Sequence, residues 1–330
     1  MKGLFQTIAE KLYRTFFDSV SMASVYSFTF ALAVAVAYLM LRRERRNVRV
    51  LRVIVRKLFA RKLWLHRSTR LDVALLLFNI LLFPIIFVLA VVSYDRIGTG
   101  VYGWLGQTFG TPQEPLLPGW ISSAIITVNL FVAYELAYYI DHILSHRIPF
   151  LWEFHRVHHS ASVLTPLTNW RVHPVDSLVF LNLIALLTGS TQAVTHYVLG
   201  VQAAPYLVQG ENLIFLAYMY IYGHLQHSHI WMTFGNVWSR ILMSPAAHQI
   251  HHSTNPRHFN RNFGGAMSLW DWVFGTLYLP TDRREVHEVG LDDDDCHDSV
   301  VATLFLPFVT VGRKTLGRLL PRVRDRNAGG

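Results

Sequence analysis

The sequence predicts an all-α integral membrane protein with four or five membrane helices, among them a short helical hairpin. Three observations support this fold class: 52% of the 330 residues are hydrophobic, only 15% are charged, and the apolar residues occur in long runs. Soluble domains usually carry about 25% charged residues, and a helix needs about 20 apolar residues to cross a bilayer core. The composition and the runs therefore indicate a lipid environment.

Three apolar runs in the first half of the chain are predicted to span the membrane. They are Val25 to Leu41, Val73 to Tyr94 and Ile121 to Ile140. The apolar stretch 178–222 is expected to form a hairpin that enters and leaves on the same side, because Thr188-Gly189-Ser190 interrupts it. Each arm of this hairpin is short for a full crossing.

The segment from Arg42 to Arg70 carries most of the formal net charge of +9. A basic run can bind nucleic acid, but its position between two apolar runs favours a cytoplasmic loop on anionic lipid headgroups. The 95–119 loop has few basic residues, so the positive-inside rule places it outside. The third span is then expected to end near Asp141 on the cytoplasmic side. Most of the basic residues are arginine, which favours a bacterial inner membrane over the endoplasmic reticulum.

Most of the 17 histidines fall into four short groups. The groups are His142-x3-His146, His155-x2-His158-His159, His224-x2-His227-x-His229 and His248-x2-His251-His252. Residues three and four apart lie on one face of a helix. We therefore expect each of the first, second and fourth groups to aim its imidazoles at one point. In the third group the first two histidines share a face, and the last is off that face unless the helix ends there.

About ten imidazoles imply two metal ions, because one ion takes about four to six ligands. Zinc sites usually combine cysteine with histidine or use three protein ligands and a water. A histidine-only pair of ions suits redox iron better, although imidazole also binds copper and zinc. The single cysteine, Cys296, excludes a disulfide framework and a cysteine-ligated iron–sulfur cluster within the chain.

Around these histidines the chain resembles the fatty acid hydroxylase / sterol desaturase superfamily, over about residues 125–280. The matching motifs are DHxxxH at 141–146, FHRVHHS at 154–160, NWRVHP at 169–174, SPAAHQIHHS at 244–253, NRNFGG at 260–265 and LWDWVFGTLY at 269–278. The resemblance implies a helical membrane bundle with a cytosolic helical cap that holds two iron ions.

The resemblance also implies which residues bind the two ions. The implied ligands are His142, His146, His155, His158, His159, His227, His248, His251 and His252. Helical phasing adds His224, and His229 and His173 are possible further ligands. Because His173 precedes Pro174, a role at a helix start is the simpler expectation for it.

Metal-bound histidines usually need a partner that orients the ring. The candidates for this role are Asp141, Glu135, Asn169 and Asp271. For Glu135 a salt bridge within the helix bundle is an equal alternative, although acids inside a membrane segment are often functional.

The motifs divide the chain into three parts. Residues 1–120 are predicted to hold an N-terminal interfacial segment and two spans joined by the basic loop. Residues 121–282 form the catalytic domain, and residues 283–330 form a cytosolic C-terminal tail that includes a solvated acidic loop at 292–295.

The implied reaction is hydroxylation or desaturation of a C–H bond in a sterol, fatty acyl or aminoacyl lipid, with O2 as cosubstrate. The metal pair carries the chemistry, and no separate acid or base is assigned. The chain lacks a dinucleotide fingerprint and a haem-attachment motif, so we expect a separate cytochrome b5-like or ferredoxin-like electron donor. Two alternatives stay open: a histidine-metal-dependent membrane hydrolase that needs no O2, and a non-catalytic lipid-binding protein.

Overall fold

The computed structural model describes residues 2–43, 47–82, 88, 92–112, 114–115, 117–291 and 299–319, which are mostly helical. Its α-helices are α1 Lys2–Phe17, α2 Val25–Leu41, α3 Val48–Leu58, α4 Arg61–Trp64, α5 Arg67–Leu81, α6 Tyr94–Phe109, α7 Gly119–Arg147, α8 Pro149–His159, α9 Pro174–Leu199, α10 Leu213–Tyr218, α11 His224–Gln226, α12 Gly235–Trp238, α13 Pro245–His251, α14 Leu269–Phe274 and α15 Val300–Leu319. Short 3-10 turns occupy Pro166–Trp170 and Pro256–His258, and a π-helical turn occupies Met219–Gly223. Strands β1 Leu207–Val208 and β2 Glu211–Asn212 form a small antiparallel hairpin.

Two helices, α7 and α9, are long and apolar enough to cross a membrane. They contain 29 and 26 residues and pack against each other. The 17-residue helix α2 is a shorter apolar helix. Of the four or five predicted membrane helices, two therefore have the required length within the part of the chain that the structure describes.

The predicted interruption at Thr188-Gly189-Ser190 is wrong, because α9 continues through it to Leu199. Gly189 lies where α6 packs closely: a Cβ at this position would be 2.8 Å from the Tyr94 carbonyl oxygen. Glycine therefore permits a close helix contact here and does not end the helix. The return arm of the predicted hairpin is the short α10 with the π-helical turn, and it follows β1 and β2.

The 95–119 segment also differs from its prediction as a loop, because most of it forms α6. The Ser93 side chain caps this helix by accepting a hydrogen bond from the Arg96 N–H group, which is a frequent N-cap arrangement. Part of the predicted span from Val73 to Tyr94 lies outside the described residues, as do the acidic loop at 292–295, Cys296 and the tail beyond residue 319.

A buried ion pair fixes the chain between α8 and α9. The Arg171 Nε atom donates to Asp72 Oδ1 on α5 at 2.6 Å, and the two side chains are 1% and 0% exposed. The same guanidinium donates to the Ser68 carbonyl and hydroxyl oxygens and to the Ser160 hydroxyl at the C-terminus of α8. Asp72 also accepts from Thr168. The network therefore holds α8, which carries the second histidine group, against α5.

The basic segment folds as two helices on the surface. In α3, Ile54 and Leu58 are buried against Ala31 and Ala35 of α2. The arginine and lysine side chains of α3 and α4 are exposed. Such a division of apolar and basic faces is typical of a helix at a membrane surface.

Candidate metal centre

Nine buried or half-buried histidines converge at the C-terminal end of α7 in two clusters, each with ring nitrogens within 4.8 Å of one another. Cluster A consists of His142, His146, His155, His159 and His251. Cluster B consists of His158, His227, His248 and His252. These nine residues are the complete set that the family resemblance implies.

Helical spacing explains how two short motifs serve both clusters. On α8, His155 and His159 are four residues apart and point to cluster A, whereas His158 points to cluster B. At α13 the i,i+4 pair of His248 and His252 belongs to cluster B, and His251 belongs to cluster A. The expectation that each motif aims three rings at one point is therefore wrong. Only the i,i+4 pair shares a cluster.

The nitrogen–nitrogen distances fit a metal ion better than hydrogen bonding. In cluster B the Nε2 atoms of His227, His248 and His252 form a triangle with sides of 2.9–3.2 Å. Three neutral imidazoles cannot all satisfy one another in this arrangement, because each ring nitrogen is either a donor or an acceptor. Adjacent ligands on an octahedral ion with metal–nitrogen bonds of about 2.1 Å lie about 3.0 Å apart. The donor set therefore fits a bound ion.

Cluster A has the same close approach between its ring nitrogens. The Nε2 atoms of His146 and His251 each lie 3.1 Å from His159 Nε2. The Nε2 atoms of His142 and His155 are buried and have no hydrogen-bond partner among the described residues. Buried polar atoms normally have partners, so these orphaned nitrogens are further evidence for a metal site.

Three rings of cluster A are held through their Nδ1 atoms. The partners are the Phe263 carbonyl for His142 at 2.7 Å, Asp176 Oδ2 for His155 at 3.1 Å and the Arg261 carbonyl for His251 at 2.9 Å. Because these partners accept, each Nδ1 carries the proton and each Nε2 keeps its lone pair. The lone pairs then face the interior of the cluster, as metal binding requires.

Burial favours the neutral form of six of these rings by lowering their pKa. Desolvation, followed by the neighbouring imidazoles, lowers the pKa well below its usual value for His158, His159, His227, His248 and His252. Desolvation also lowers the pKa of His251 to about 3. Neutral imidazole is the form that binds metal, so the lowered pKa of these six rings favours ion binding at neutral pH.

Asp271 supports a ligand through the backbone. Its carboxylate accepts from the N–H groups of Phe263 and Gly264 at 2.8 Å each and from Thr276 Oγ1 at 2.6 Å. It thereby fixes the loop whose Phe263 carbonyl orients His142. A Cβ at Gly264 would lie 1.9 Å from the Met267 carbonyl oxygen, so this tight loop requires glycine.

The other three predicted orienting residues do not contact a ligand ring through a described hydrogen bond. Glu135 accepts from the Met267 N–H group at 2.8 Å and so holds the same loop. Asn169 donates to the Pro166 carbonyl within its own turn. Asp141 is buried beside the clusters, and its Oδ1 has no hydrogen-bond partner in the described ranges. The hydrogen-bond partners of Glu135 and Asn169 are backbone groups, which could not be predicted from the residue types alone.

The acid that does contact a ligand ring is Asp176, which the sequence analysis did not assign. It lies in the first turn of α9, accepts from His155 and is 3.4 Å from the Ser145 hydroxyl. An acid at the start of an otherwise apolar helix, three residues after His173, is the signal that could have identified it.

We expect Asp176→Asn to weaken metal binding at cluster A by about 10–100-fold, the usual effect of losing such a partner. The neutral amide is a poorer acceptor for the His155 Nδ1–H group. Metal analysis after dialysis against graded chelator measures the affinity. Asp95→Asn is the matched control, because Asp95 is exposed in the first turn of α6. Equal metal loss in both variants would contradict the assigned role.

Three predicted or possible ligands lie outside both clusters. His224 Nε2 is 3.1 Å from the Ser27 hydroxyl, and its ring stacks on Phe28 at 4.4 Å. His224 follows a π-helical turn, and α11 ends before His227. His224 and His227 therefore point to different sides, so the prediction that they share a helix face is wrong. His229 is half-buried and belongs to neither cluster.

His173 caps α9, as its position before proline predicted. Its Nδ1 accepts from the Val175 N–H group, and Pro174 is the first helical residue. The other ring nitrogen, Nε2, therefore carries the proton and donates to the Leu304 carbonyl at 3.1 Å. Both nitrogens are engaged, which leaves none for a metal.

A cavity of about 210 Å³ borders both clusters. Its wall includes His142 and His155 of cluster A and His158 and His227 of cluster B. Much of the remaining wall is aromatic and comes from α7, α9 and α10: Tyr134, Tyr138, Phe180, Phe215 and Tyr218. We call this space the metal pocket. Its aromatic lining suits a segment of hydrocarbon placed beside both clusters.

Comparison with known proteins finds one matching family and several relatives. Residues 127–276 match the family model described as fatty acid hydroxylase. The chain is 29% identical over 199 residues to the ornithine lipid hydroxylase OlsE of Rhizobium tropici, which covers 60% of this chain and 54% of that protein. No solved structure matches.

Two further relatives also carry names of lipid enzymes. The chain is 25% identical to an alkylglycerol monooxygenase of Danio rerio, over 46% of this chain and 30% of that protein. It is also 25% identical to the putative Delta(7)-sterol-C5(6)-desaturase 2 of Arabidopsis thaliana, over 50% and 53%. The chain therefore spans about half the length, or less, of these curated relatives.

Proposed function

We propose that the chain is a membrane-bound di-iron oxygenase that hydroxylates or desaturates a C–H bond of a lipid, because residues 127–276 match the fatty acid hydroxylase family model. The observation that carries this proposal is the pair of buried histidine clusters that border one aromatic-lined pocket. The relatives are named for ornithine lipid, alkylglycerol and sterol. These names support a lipid substrate.

Cluster A would hold one iron ion and cluster B the other. Nitrogen ligands without cysteine suit a redox-active first-row metal, and the family is one of lipid-modifying oxygenases. When bound, the two irons supply the activation of O2 that oxidation of an unreactive C–H bond needs. Electrons come from a separate donor protein, a cytochrome b5-like or ferredoxin-like carrier.

The protein itself positions the substrate and excludes water from the site of reaction. The rings of Tyr138, Phe180 and Phe215 line the metal pocket and exclude water from the reacting carbon. Tyr218 donates to Gln226 at 2.7 Å, and the Gln226 amide donates to the carbonyls of Met243 and Gly265. These bonds fix the part of the wall next to His227. A hydrocarbon segment would thereby be held beside both metal positions.

The proposed membrane arrangement follows from the two long helices. Helices α7 and α9 cross the bilayer, with the clusters at the end where α7 finishes and α9 begins. The exposed basic side chains of α3 and α4 favour the cytoplasmic side of a bacterial inner membrane for the segment that carries them. We retain the three-part division at residues 120 and 282, with the clusters inside the central part.

Comparative lipid analysis tests the proposed function. Cells that express the protein, compared with cells lacking it, are expected to gain a lipid species shifted by about +16 mass units for hydroxylation or about −2 for desaturation. Cells expressing His251→Ala provide the matched control, and the shift is expected to vanish without O2. A product that forms equally under anaerobic conditions would instead favour the metal-dependent hydrolase.

A further inference from the structure

A second cavity, of about 460 Å³, lies apart from the metal pocket. Parts of α1, α2, α3, α4 and residues 224–230 line it, and its wall is almost entirely apolar. Ligand pockets typically measure about 300–1,000 Å³, so this space has the size of a ligand site. We call it the apolar cavity.

Stacked aromatic rings form part of the wall of the apolar cavity. The Phe28 ring lies 4.4 Å from the His224 ring, and the Trp170 ring lies 6.2 Å from it on a nearly parallel plane. Phe28 and His224 line the apolar cavity, whereas Asn169 and His227 line the metal pocket. The two cavities have no lining residue in common. A molecule in the apolar cavity therefore contacts none of the residues that line the metal pocket.

The rim of the apolar cavity has two chemically different sides. On the α1 and α2 side, Phe17 and Val25 are 51% and 46% exposed. On the other side Phe59 is exposed in the connection between α3 and α4. It is flanked in sequence by four exposed cations, Arg56, Lys57, Arg61 and Lys62. An apolar side next to a basic side matches an amphiphile with an anionic headgroup.

We propose that the apolar cavity binds one hydrocarbon chain of an anionic phospholipid, whose phosphate lies on the basic rim. The chain occupies the space between α2 and residues 224–230, and the headgroup stays at the membrane surface. This site is separate from the one where a substrate is oxidised. Lipid binding at this site does not require iron, so its test is independent of the test of the proposed activity.

Photo-crosslinking with a diazirine-labelled phosphatidylglycerol, in vesicles of unlabelled phosphatidylcholine, tests the site. We expect the label on peptides from α2 and residues 224–230, and we expect excess unlabelled phosphatidylglycerol to compete for it. Thr29→Trp places an indole at the exposed mouth and should lower labelling by about tenfold. Tyr26→Trp is the matched control, because Tyr26 is exposed on the same helix but does not line the cavity.

The headgroup contact has its own variant, which changes only exposed residues. Lys57→Gln with Arg61→Gln should reduce the preference for phosphatidylglycerol over labelled phosphatidylcholine by about tenfold. Arg257→Gln with Arg283→Gln removes the same charge from exposed positions elsewhere and should leave the preference unchanged. Metal content measured in parallel reports that each variant is folded.

Three results would overturn the proposal. Labelling confined to other helices would show that the cavity holds no lipid chain. Equal labelling of Thr29→Trp and Tyr26→Trp would show that the chain lies outside the cavity. A lipid extracted from this site after turnover with a mass shift of about +16 or −2 would show that the cavity holds the substrate and not a separate phospholipid.

Discussion

His251→Ala is expected to abolish lipid oxidation and to lower the metal content from about two ions per chain to about one. His251 contributes its Nε2 to cluster A and is oriented there by the Arg261 carbonyl. Alanine removes both the ligand and the oriented ring. His248→Ala is expected to do the same at cluster B. Oxidation fails in both variants because the proposed reaction uses both ions together.

Metal analysis of purified protein and product formation with O2 and a reductant measure these effects. His224→Phe is the control, because spacing placed His224 among the ligands whereas the structure places it beside Ser27 and Phe28. The phenyl ring keeps the stack, so this variant should retain both ions. Turnover by His251→Ala, or metal loss from His224→Phe equal to that of His251→Ala, would contradict the assignment of the clusters.

Arg171→Leu is expected to lower the free energy of unfolding by about 3–5 kcal/mol, because it leaves the buried Asp72 carboxylate without its partner. The guanidinium also bonds Ser68 and Ser160, so the loss extends to the C-terminus of α8. Thermal unfolding in detergent should show a large fall in Tm. Metal binding should weaken as well, since α8 carries three of the nine clustered histidines.

The double variant Asp72→Leu with Arg171→Leu separates a lost pair from a lost packing contact. Replacing both members of a buried ion pair by apolar residues is often neutral or stabilising. We therefore expect the double variant to recover much of the stability that Arg171→Leu loses. A double variant as unstable as Arg171→Leu would show that the unpaired charge is not the cause.

The sequence predicted where the apolar helices lie, but it did not predict that α9 continues through residues 188–190. Runs without charge correctly predicted α2 and most of α7. Thr188-Gly189-Ser190 was interpreted as a break because this triplet interrupts the apolar stretch. Its neighbour α6 comes from a segment predicted to be a loop, so the close packing that explains this glycine was not apparent from local sequence.

The candidate site was predictable where residue type determines the chemistry. Histidine spacing and the family resemblance together identified all nine residues of the two clusters. The rule that imidazoles at i,i+4 share a helix face accounts for the pairs His142 and His146, His155 and His159, and His248 and His252. It did not show how each motif divides between the clusters. The carbonyls of Phe263 and Arg261 could not be predicted at all, since every residue has a carbonyl and only the folded loop selects these two.

The division of each His-x2-His-His motif between clusters A and B determines the distance between the two metal positions. On α8, and again at the C-terminal end of α13, histidines that belong to different clusters are consecutive or three apart, and each helical residue rises about 1.5 Å. The separation of the two clusters is therefore set by helix geometry at these two motifs. A one-residue insertion in either motif should therefore disrupt both clusters at once, whereas a substitution of one histidine changes only the cluster to which that histidine belongs.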